Sequence, residues 1–199
     1  IDYTVDADEG NTSNPATITI DYDTQPPVAV DDEDLGNTPG TAVPVDPVVD
    51  NGFGVDSDPD GTLDPTTVSL VPPVGATGVV TDGNGDVTSM DIPGEGTWSV
   101  DPVTGVITFD PLPTFNDDPT PQDYNIEDND GNQSNDAEVL IDYAPVAEDD
   151  NSTGNLTNTA VEVPVLANDD TGDVVDATTV SLDIASIPGS TCTTTDAGG

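Results

Sequence analysis

An internal repeat constrains the fold of this chain more than any other feature of its 199 residues. Residues 2–22 recur as residues 123–143 at a constant offset of 121, from an initial Asp-Tyr to a final Ile-Asp-Tyr. A unit of about 120 residues is long enough to bury its own core, with about two thirds of its unfolded surface removed from water. We therefore predict that each repeat is an independent domain in a tandem array.

Two shorter matches extend the repeat toward the end of the chain. The Pro-Val-Ala of residues 27–29 recurs at 145–147, and the Thr-Val-Ser-Leu of residues 67–70 recurs at 179–182. The offset falls from 118 to 112 between these matches, so the later copy lacks six residues in a loop. We predict that the chain has three parts. Residues 1–22 are the closing hairpin of a preceding repeat, residues 23–143 are one complete repeat, and residues 144–199 are the first part of a following repeat.

Apolar and polar residues alternate with a period of two inside the complete repeat. The alternation is clearest over three runs: residues 98–101, 106–110 and 137–142. Turn sequences rich in Gly, Asn and Asp separate such runs: residues 83–86, 102–105 and 129–132. This pattern is typical of antiparallel strands that pack on one face and meet water on the other. We predict an all-β fold of tandem immunoglobulin-like antiparallel β-sandwich repeats, with about seven to nine strands in each.

The charge composition excludes several classes of function. The chain has 41 acidic residues and no Lys, Arg or His, so its formal net charge is −41. Without cationic side chains it cannot neutralise phosphates or an anionic membrane surface, so we expect no nucleic-acid partner. The absence of His removes the base of Ser-His-Asp and Cys-His sites. No apolar run is long enough to span a bilayer, so we expect no membrane insertion in this segment.

Other residues that could carry chemistry have simpler explanations. Adjacent carboxylates such as Asp117 and Asp118 would suit a glycosidase, but so many acids in one chain place pairs together by chance. Cys192 is the only cysteine, and we interpret it as a strand residue or as half of a bridge to another chain. Trp98 is the one indole, and we predict that it fills the sandwich core. We therefore predict no catalytic residues and no enzyme activity.

Calcium is the cofactor that the composition favours, because oxygen is the only ligand type present in quantity. We expect structural Ca²⁺ ions that stiffen loops and the junctions between repeats. The first set of candidates lies in a loop before a strand and contains Asp56, Asp58 and Asp60. The second lies in a hairpin turn and contains Asp128, Asp130 and Asn132, with Asp6, Asp8 and Asn11 as its counterpart in the first hairpin. The third consists of acid pairs at repeat junctions, Asp31 and Asp32 with Asp149 and Asp150. The alternative is that these acids only solvate loops and form Asx-turns.

Glycosylation is a second hypothesis for surface residues. Four asparagines head Asn-x-Ser/Thr sequons: Asn11, Asn132, Asn151 and Asn155. Asn11 and Asn132 also lie in the proposed calcium turns, so the two interpretations compete at these positions. The sequence therefore leaves open whether glycans are among the partners of the chain.

An ordered series of motifs follows the complete repeat. Gly-Glu-Gly-Thr-Trp-Ser-Val-Asp-Pro at residues 94–102 is followed by Gly-Val-Ile-Thr-Phe at 105–109 and Asp-Pro-Thr-Pro at 118–121. This series resembles the CshA-type fibril repeat of bacterial surface adhesins. The resemblance implies an extracellular tandem-repeat stalk that projects an adhesive tip, and it implies no catalytic residues. The third copy departs from the pattern, because residues 169–173 replace the Asp-Pro-Asp-Gly loop of residues 58–61.

Two functional interpretations remain open. In the first, the chain is a segment of an adhesin stalk or surface fibril, joined covalently to neighbouring repeats. In the second, identical copies assemble head to tail by β-strand exchange into an extracellular filament. Residues 1–22 of one copy would then complete the sheet begun by residues 144–199 of another. The third copy also lacks the Trp hairpin, so one donated hairpin would leave it incomplete.

Overall fold

A computed structural model describes residues 1–20, 23–49, 51–169 and 171–181 of the chain. The described part is built from short strands, which confirms the predicted all-β class. The strands are Asp2–Tyr3 (β1), Ala16–Thr17 (β2), Asp32–Asn37 (β3), Val43–Val45 (β4), Leu63–Leu70 (β5), Thr77–Thr81 (β6), Val87–Ile92 (β7), Gly96–Val100 (β8), Ile107–Pro111 (β9), Gln122–Asp128 (β10) and Ala137–Tyr143 (β11). One 3-10 turn follows at Ala177–Thr179. The interpretation of Cys192 and the match at Leu182 lie outside the described residues.

Strands β3 to β11 form two sheets that pack as a sandwich around one apolar core. The first sheet has the order β3-β11-β10-β5, and the second has the order β4-β9-β8-β7-β6. Neighbouring strands are antiparallel except β3 and β11, which run parallel. This pair departs from the predicted antiparallel pattern, because period-two alternation does not fix the relative direction of two strands that no hairpin joins. The short strands β1 and β2 pair only with each other among the described strands.

The core lies between the inward faces of the two sheets, where the predicted alternation places its apolar residues. Trp98 of β8 is fully buried, as predicted, and its ring centroid lies 5.0 Å from that of Phe109 on β9. Ile126 of β10 and Val139 of β11 are also fully buried in this core, from the opposite sheet. The indole N–H of Trp98 has no acceptor among the described residues. Burial of aromatic and branched side chains is therefore the main source of stability for the sandwich.

A β-bulge interrupts the period of two in β10. The register between β10 and β5 shifts between Asn125 and Glu127. Tyr124, Asn125 and Ile126 are consequently all buried, although the alternation predicts that Asn125 faces water. The buried amide of Asn125 is satisfied because it donates a hydrogen bond to the carboxylate of Asp136 at 3.0 Å.

The Gly-Glu-Gly-Thr-Trp motif forms the turn and first residues of the β7–β8 hairpin. Gly94 has a φ of +92°, which side-chain-bearing residues rarely adopt. A Cβ at Gly96 would overlap the ring of Phe109, so only glycine allows this ring to pack against the strand. The Glu95 carboxylate accepts hydrogen bonds from the N–H and the hydroxyl of Thr120, at 2.8 and 2.7 Å. The motif is therefore explained by turn geometry and packing.

Aspartate carboxylates close three of the hairpin turns. Asp82 Oδ1 accepts the N–H groups of the three residues Asn84, Gly85 and Asp86, and Asp101 accepts those of Val103 and Thr104. These backbone hydrogen bonds lower the pKa of Asp82 and of Asp101. Burial opposes ionisation of Asp128, but hydrogen bonds from Asn132 and Asp130 outweigh it and lower its pKa. A carboxylate on a short side chain reaches its own turn, so many of the acids are structural.

Candidate functional site

A buried polar cluster joins three segments of the repeat at the hydroxyl group of Tyr124 on β10. Its oxygen lies 2.9 Å from Asp32 Oδ2 at the start of β3 and 3.0 Å from Asp56 Oδ2 in the loop before β5. The carbonyl oxygen of Val30 is 3.1 Å away. Tyr124, Asp32 and Asp56 are 0%, 1% and 5% exposed, so water reaches none of these groups freely.

Burial disfavours the charged forms of all three titratable groups in this cluster. It raises the pKa of Asp32 to about 6, although hydrogen bonds from Tyr124 and Asn51 act in the opposite direction. Burial also raises the pKa of Asp56, against hydrogen bonds from the Val30 N–H and Tyr124. The pKa of Tyr124 is raised by burial and by the two nearby carboxylates, so the phenol keeps its proton. No cation offsets these carboxylates, because the chain has no Lys, Arg or His.

The cluster changes the interpretation of the predicted junction pair. Asp31 and Asp32 are neighbours on an extended chain, so their side chains point in opposite directions. Asp31 is exposed, and its carboxylate accepts the N–H of Glu138 on β11 at 2.9 Å. Asp32 instead lies inside the sandwich. The two carboxylates therefore face different surroundings, and calcium binding by this pair stays a prediction.

The loop set Asp56, Asp58 and Asp60 does not converge on one point. Asp56 faces the interior and accepts the N–H of Val30 at 2.7 Å as well as the bond from Tyr124. Asp60 is exposed, and its carboxylate accepts the N–H of Gln25 at 3.1 Å. Only Asp58 keeps a carboxylate oxygen without a hydrogen-bond donor among the described residues.

Asp58 and Asn129 are the residues that fit a bound cation best. The unpartnered Oδ2 of Asp58 and the Oδ1 of Asn129 each lie 2.5 Å from the point that a Cβ of Gly61 would occupy. The glycine therefore leaves a space between two oxygen atoms from different loops. Asn129 Oδ1 already accepts the N–H of Thr62 at 2.8 Å, which ties these loops together. Within the described ranges, no three side chains of His, Cys, Asp or Glu form a group that could hold a metal ion.

The hairpin-turn set is held by hydrogen bonds. Asp128 Oδ1 accepts the N–H groups of Asp130 and Asn132, and its Oδ2 accepts the side-chain amide of Asn132 at 2.8 Å. This arrangement is the Asx-turn that the sequence offers as an alternative to calcium. The carboxylate of Asp130 is exposed and does not take part.

The first hairpin repeats this turn with a different residue at the key position. Ala7 donates its N–H to the Asn11 carbonyl at 2.8 Å, as Asp128 donates to the Asn132 carbonyl at 3.0 Å. Ala7 therefore occupies the place of Asp128, and the predicted match of Asp6 with Asp128 is displaced by one residue. The acids of the first turn, Asp6 and Asp8, are exposed.

The two hairpins also share their strand pairing. Tyr3 lies opposite Ala16 in the first hairpin, as Tyr124 lies opposite Ala137 in the last. Their burial differs completely. Tyr3 is 47% exposed, whereas Tyr124 is fully buried. The first hairpin thus presents an apolar face that its counterpart covers with the rest of the sandwich.

Some residues after β11 make the same hydrogen bonds as the first residues of the complete repeat. Glu148 donates its N–H to Asp169 Oδ1 at 2.7 Å, as Val30 donates to Asp56 Oδ1 at 2.7 Å. Asp169 is buried like Asp56, although the sequence comparison did not single it out. The later junction pair, Asp149 and Asp150, is exposed. Because the offset between the two copies of the repeat is smaller in this region, the sequence alone does not pair Asp169 with Asp56.

The sequons differ in the accessibility of their amide nitrogen atoms. Asn11, Asn151 and Asn155 are exposed, and Asn132 is half-buried. The side-chain nitrogen of Asn132 donates to Asp128, and that of Asn155 donates to the Ser152 carbonyl at 3.0 Å. A glycan on Asn132 would break a bond that closes its turn. Glycosylation stays a prediction, with Asn132 the least suitable of the four positions.

The two-sheet sandwich with a recurring closing hairpin defines a β-sandwich repeat module. Residues 60–139 match the family described as the surface adhesin CshA repetitive domain. This stretch, from the loop before β5 into β11, is a CshA-type repeat, as its motifs predicted. No curated protein and no solved structure matches the chain significantly.

The family is described as a repetitive domain of surface adhesins, which implies a structural repeat located outside the cell or at its surface. Among the described residues, no helix has the length and apolar character needed to cross a membrane.

Proposed function

We propose that the chain is a structural segment of an extracellular bacterial adhesin stalk or surface fibril, in which sandwich repeats follow one another along the chain. The family match of residues 60–139 carries this proposal. The recurrence of the closing hairpin at residues 1–20 supports it, because a stalk needs many copies of one module. The three-part division at residues 22 and 143 belongs to the same proposal.

The stalk proposal is tested by the mass of the native protein that carries this sequence. A stalk has many covalently linked repeats, so the denatured protein should migrate as one chain far larger than 20.3 kDa. A native protein that is fully denatured to chains of 20.3 kDa would contradict a covalent stalk.

Calcium binding at the loops before β5 and after β10 is part of the proposal. Asp58 and Asn129 would supply oxygen ligands, and backbone carbonyls and water would complete the six to eight that Ca²⁺ prefers. The unpartnered Oδ2 of Asp58 and the space at Gly61 support this assignment. A bound ion would hold the two loops together and offset part of the negative charge.

Calorimetric titration with CaCl₂ at constant ionic strength tests this site. Asp58→Asn should weaken calcium binding and lower the rise in Tm that calcium produces. Asp123→Asn is the matched control, because Asp123 is exposed on β10 and outside the proposed site. Equal Tm values with calcium and with chelator in the unmodified chain would show that calcium has no structural role here.

Assembly of identical copies by strand exchange is the second candidate function. The exposed apolar face of residues 1–20 favours it, because the same face is buried in β10 and β11. The later segment supplies a matching start, since Val146 bridges to Thr171 as Val28 bridges to Ser57. A hairpin from one copy would then add to the segment after residue 143 of another.

Strand exchange predicts noncovalent polymers of the 199-residue chain. Light scattering at increasing concentration should show growing particles, and full denaturation should return them to 20.3 kDa. Ile18→Asp should abolish growth, whereas an exposed control, Val103→Asp, should not. A chain that stays monomeric at every concentration would exclude this function.

A further inference from the structure

The loop that departs from the repeat pattern packs against the end of the complete repeat. Residues 171–173, the junction loop, lie in the stretch that replaces the Asp-Pro-Asp-Gly loop. The N–H of Gly172 donates to the carbonyl of Asn116, in the loop between β9 and β10, at 2.9 Å. The N–H of Asp173 donates to the carbonyl of Tyr143, the last residue of β11, at 2.9 Å. Two consecutive residues of the junction loop are therefore bound to two separate segments of the complete repeat.

Gly172 lets the junction loop come closer to the repeat than a side chain would allow. Its φ is +82°, and it is buried although most residues of its segment are exposed. A Cβ at this position would overlap the backbone carbonyl of Ala144 and press on the side chain of Pro39, in the loop between β3 and β4. A backbone carbonyl cannot rotate away as a flexible side chain can, so glycine is the residue that fits here.

The connection between β11 and the segment after it is short and stiff. Only Ala144 and Pro145 lie between the end of β11 and Val146. Val146 in turn bridges to Thr171 of the junction loop. Proline fixes its own φ and restricts the residue before it. The N–H of Ala144 also donates to the carbonyl of Asn37, at the end of β3, at 2.8 Å. The linker is thus held on both sides and has little freedom to bend.

The corresponding connection at the start of the complete repeat is longer. One residue separates the tyrosine that ends β11 from the proline after it, whereas four residues, 23–26, separate the corresponding tyrosine and proline in the earlier copy. In that earlier linker the N–H of Gln25 donates to the carboxylate of Asp60 at 3.1 Å. The later connection relies on backbone carbonyl and N–H groups instead, so no carboxylate has to be neutralised to hold it.

We propose that the junction loop and the end of the complete repeat form a fixed interface between consecutive repeats, which sets their relative direction without calcium. The partner of this surface is the next repeat of the same chain, and the contacts are backbone hydrogen bonds around a glycine. The linker between the repeats is then a stiff joint rather than a hinge. The role of this joint in a stalk rests on the proposed function, whereas the contact itself does not depend on it.

Amide hydrogen exchange of the unmodified chain, followed by NMR with and without EDTA, tests the interface. The N–H groups of Gly172 and Asp173 should exchange about a hundredfold more slowly than in an unfolded peptide, because both donate across the interface. EDTA should leave these rates unchanged. Exchange at the rate of an unfolded peptide would overturn the proposal, and so would slow exchange that EDTA abolishes, because a bound cation would then hold the interface.

Gly172→Ala tests whether close approach at the glycine holds the interface. The added Cβ should push the junction loop away from Ala144 and speed exchange of the Asp173 N–H by about tenfold or more. Gly154→Ala is the matched control, because Gly154 also has a positive φ, +76°, but a Cβ there meets nothing within 4 Å. This control should leave the exchange of Asp173 unchanged. Equal exchange of Asp173 in the two variants would contradict the proposal.

Nitrogen-15 relaxation measures the stiffness of the joint without relying on a variant. The N–H groups of residues 171–173 should report the same rotational correlation time as those of β10 and β11. Two separate correlation times would show that the linker is a hinge and would overturn the proposal. Neither outcome depends on the mass of the native protein, so a failure of the joint is distinguishable from a failure of the stalk.

Discussion

At the scale of single residues, the Gly-Glu-Gly-Thr-Trp motif contains glycine at two positions for two different structural reasons. Gly94 meets the need for a positive φ in the β7–β8 turn. Gly96 meets a different need, because its strand passes directly beneath the ring of Phe109. A side chain at Gly96 would also overlap the backbone carbonyl of Asp110, which cannot rotate away.

Gly96→Ala should therefore destabilise the repeat by about 3 kcal/mol, at the upper end of the usual cost of overpacking. Gly83→Ala is the matched control, since a Cβ at Gly83 meets nothing within 4 Å. It should change the free energy of unfolding by less than about 0.5 kcal/mol. Urea denaturation of both variants measures the difference. Equal stability of the two variants would show that Phe109 does not depend on this glycine.

The sequence predicts which residues are apolar and buried more reliably than which acids are buried. Trp98 and Val139 follow from period-two alternation, because apolar side chains on one strand face gather in the core. Asp32 and Asp56 do not follow from it, because a carboxylate is expected to face water. Only their meeting with Tyr124 in three dimensions explains their burial. The one feature of the sequence that points to position 124 is that tyrosine recurs at positions 3 and 124.

At the scale of strands, β1–β2 and β10–β11 are the same hairpin in two environments. Ile18 and Val139 occupy equivalent positions, but Ile18 is 48% exposed and Val139 is fully buried. The interior of a sandwich gives the side chain at position 139 contacts that the side chain at position 18 lacks.

Val139→Asp should unfold or strongly destabilise the complete repeat, by about 4 kcal/mol or more, because it buries an unpaired charge. Ile18→Asp should leave the melting temperature of the isolated chain nearly unchanged. Differential scanning calorimetry on both variants makes the comparison. A large loss of stability from Ile18→Asp would mean that the first hairpin is already packed within its own chain.

Strand positions could be predicted from alternation and turn residues, whereas two details could not. The parallel pairing of β3 with β11 depends on a contact between distant segments, for which the sequence carries no local pattern. The bulge in β10 changes the facing of Asn125 through the register with β5.

At the scale of the whole molecule, acids with opposite pKa shifts act on stability in different pH ranges. The lowered pKa values of Asp82 and Asp101 stabilise the fold above the unfolded value of about 3.9, and this contribution disappears as pH falls through their folded values. The raised pKa of Asp32 works in the other direction, so its contribution is present at low pH and disappears as pH rises through about 6.

These opposing terms predict a stability maximum at about pH 4–5. Mutual repulsion among the carboxylates adds to the loss of stability above that range. Urea midpoints measured from pH 2.5 to pH 8 would locate the maximum. Stability that rises steadily up to pH 7 would show that the turn carboxylates outweigh the buried cluster and the repulsion.

A net charge of −41 with no cationic side chain also predicts that salt stabilises the fold. Screening over a Debye length of about 10 Å at 0.1 M weakens repulsion between exposed carboxylates. The melting temperature should rise with NaCl, and tetramethylammonium chloride should produce a similar rise because it screens without binding carboxylates tightly. An effect of NaCl alone would indicate specific cation binding, and no effect of either salt would contradict strong repulsion.

The proposal that this chain is part of a surface stalk is tested most directly by immunogold electron microscopy of intact cells that produce it. Antibodies raised against the 199-residue chain would be applied without permeabilising the cells. We predict gold particles along thin fibrils outside the cell, with several particles on each fibril because the repeat recurs. Labelling that appears only after the cells are opened would contradict the proposal.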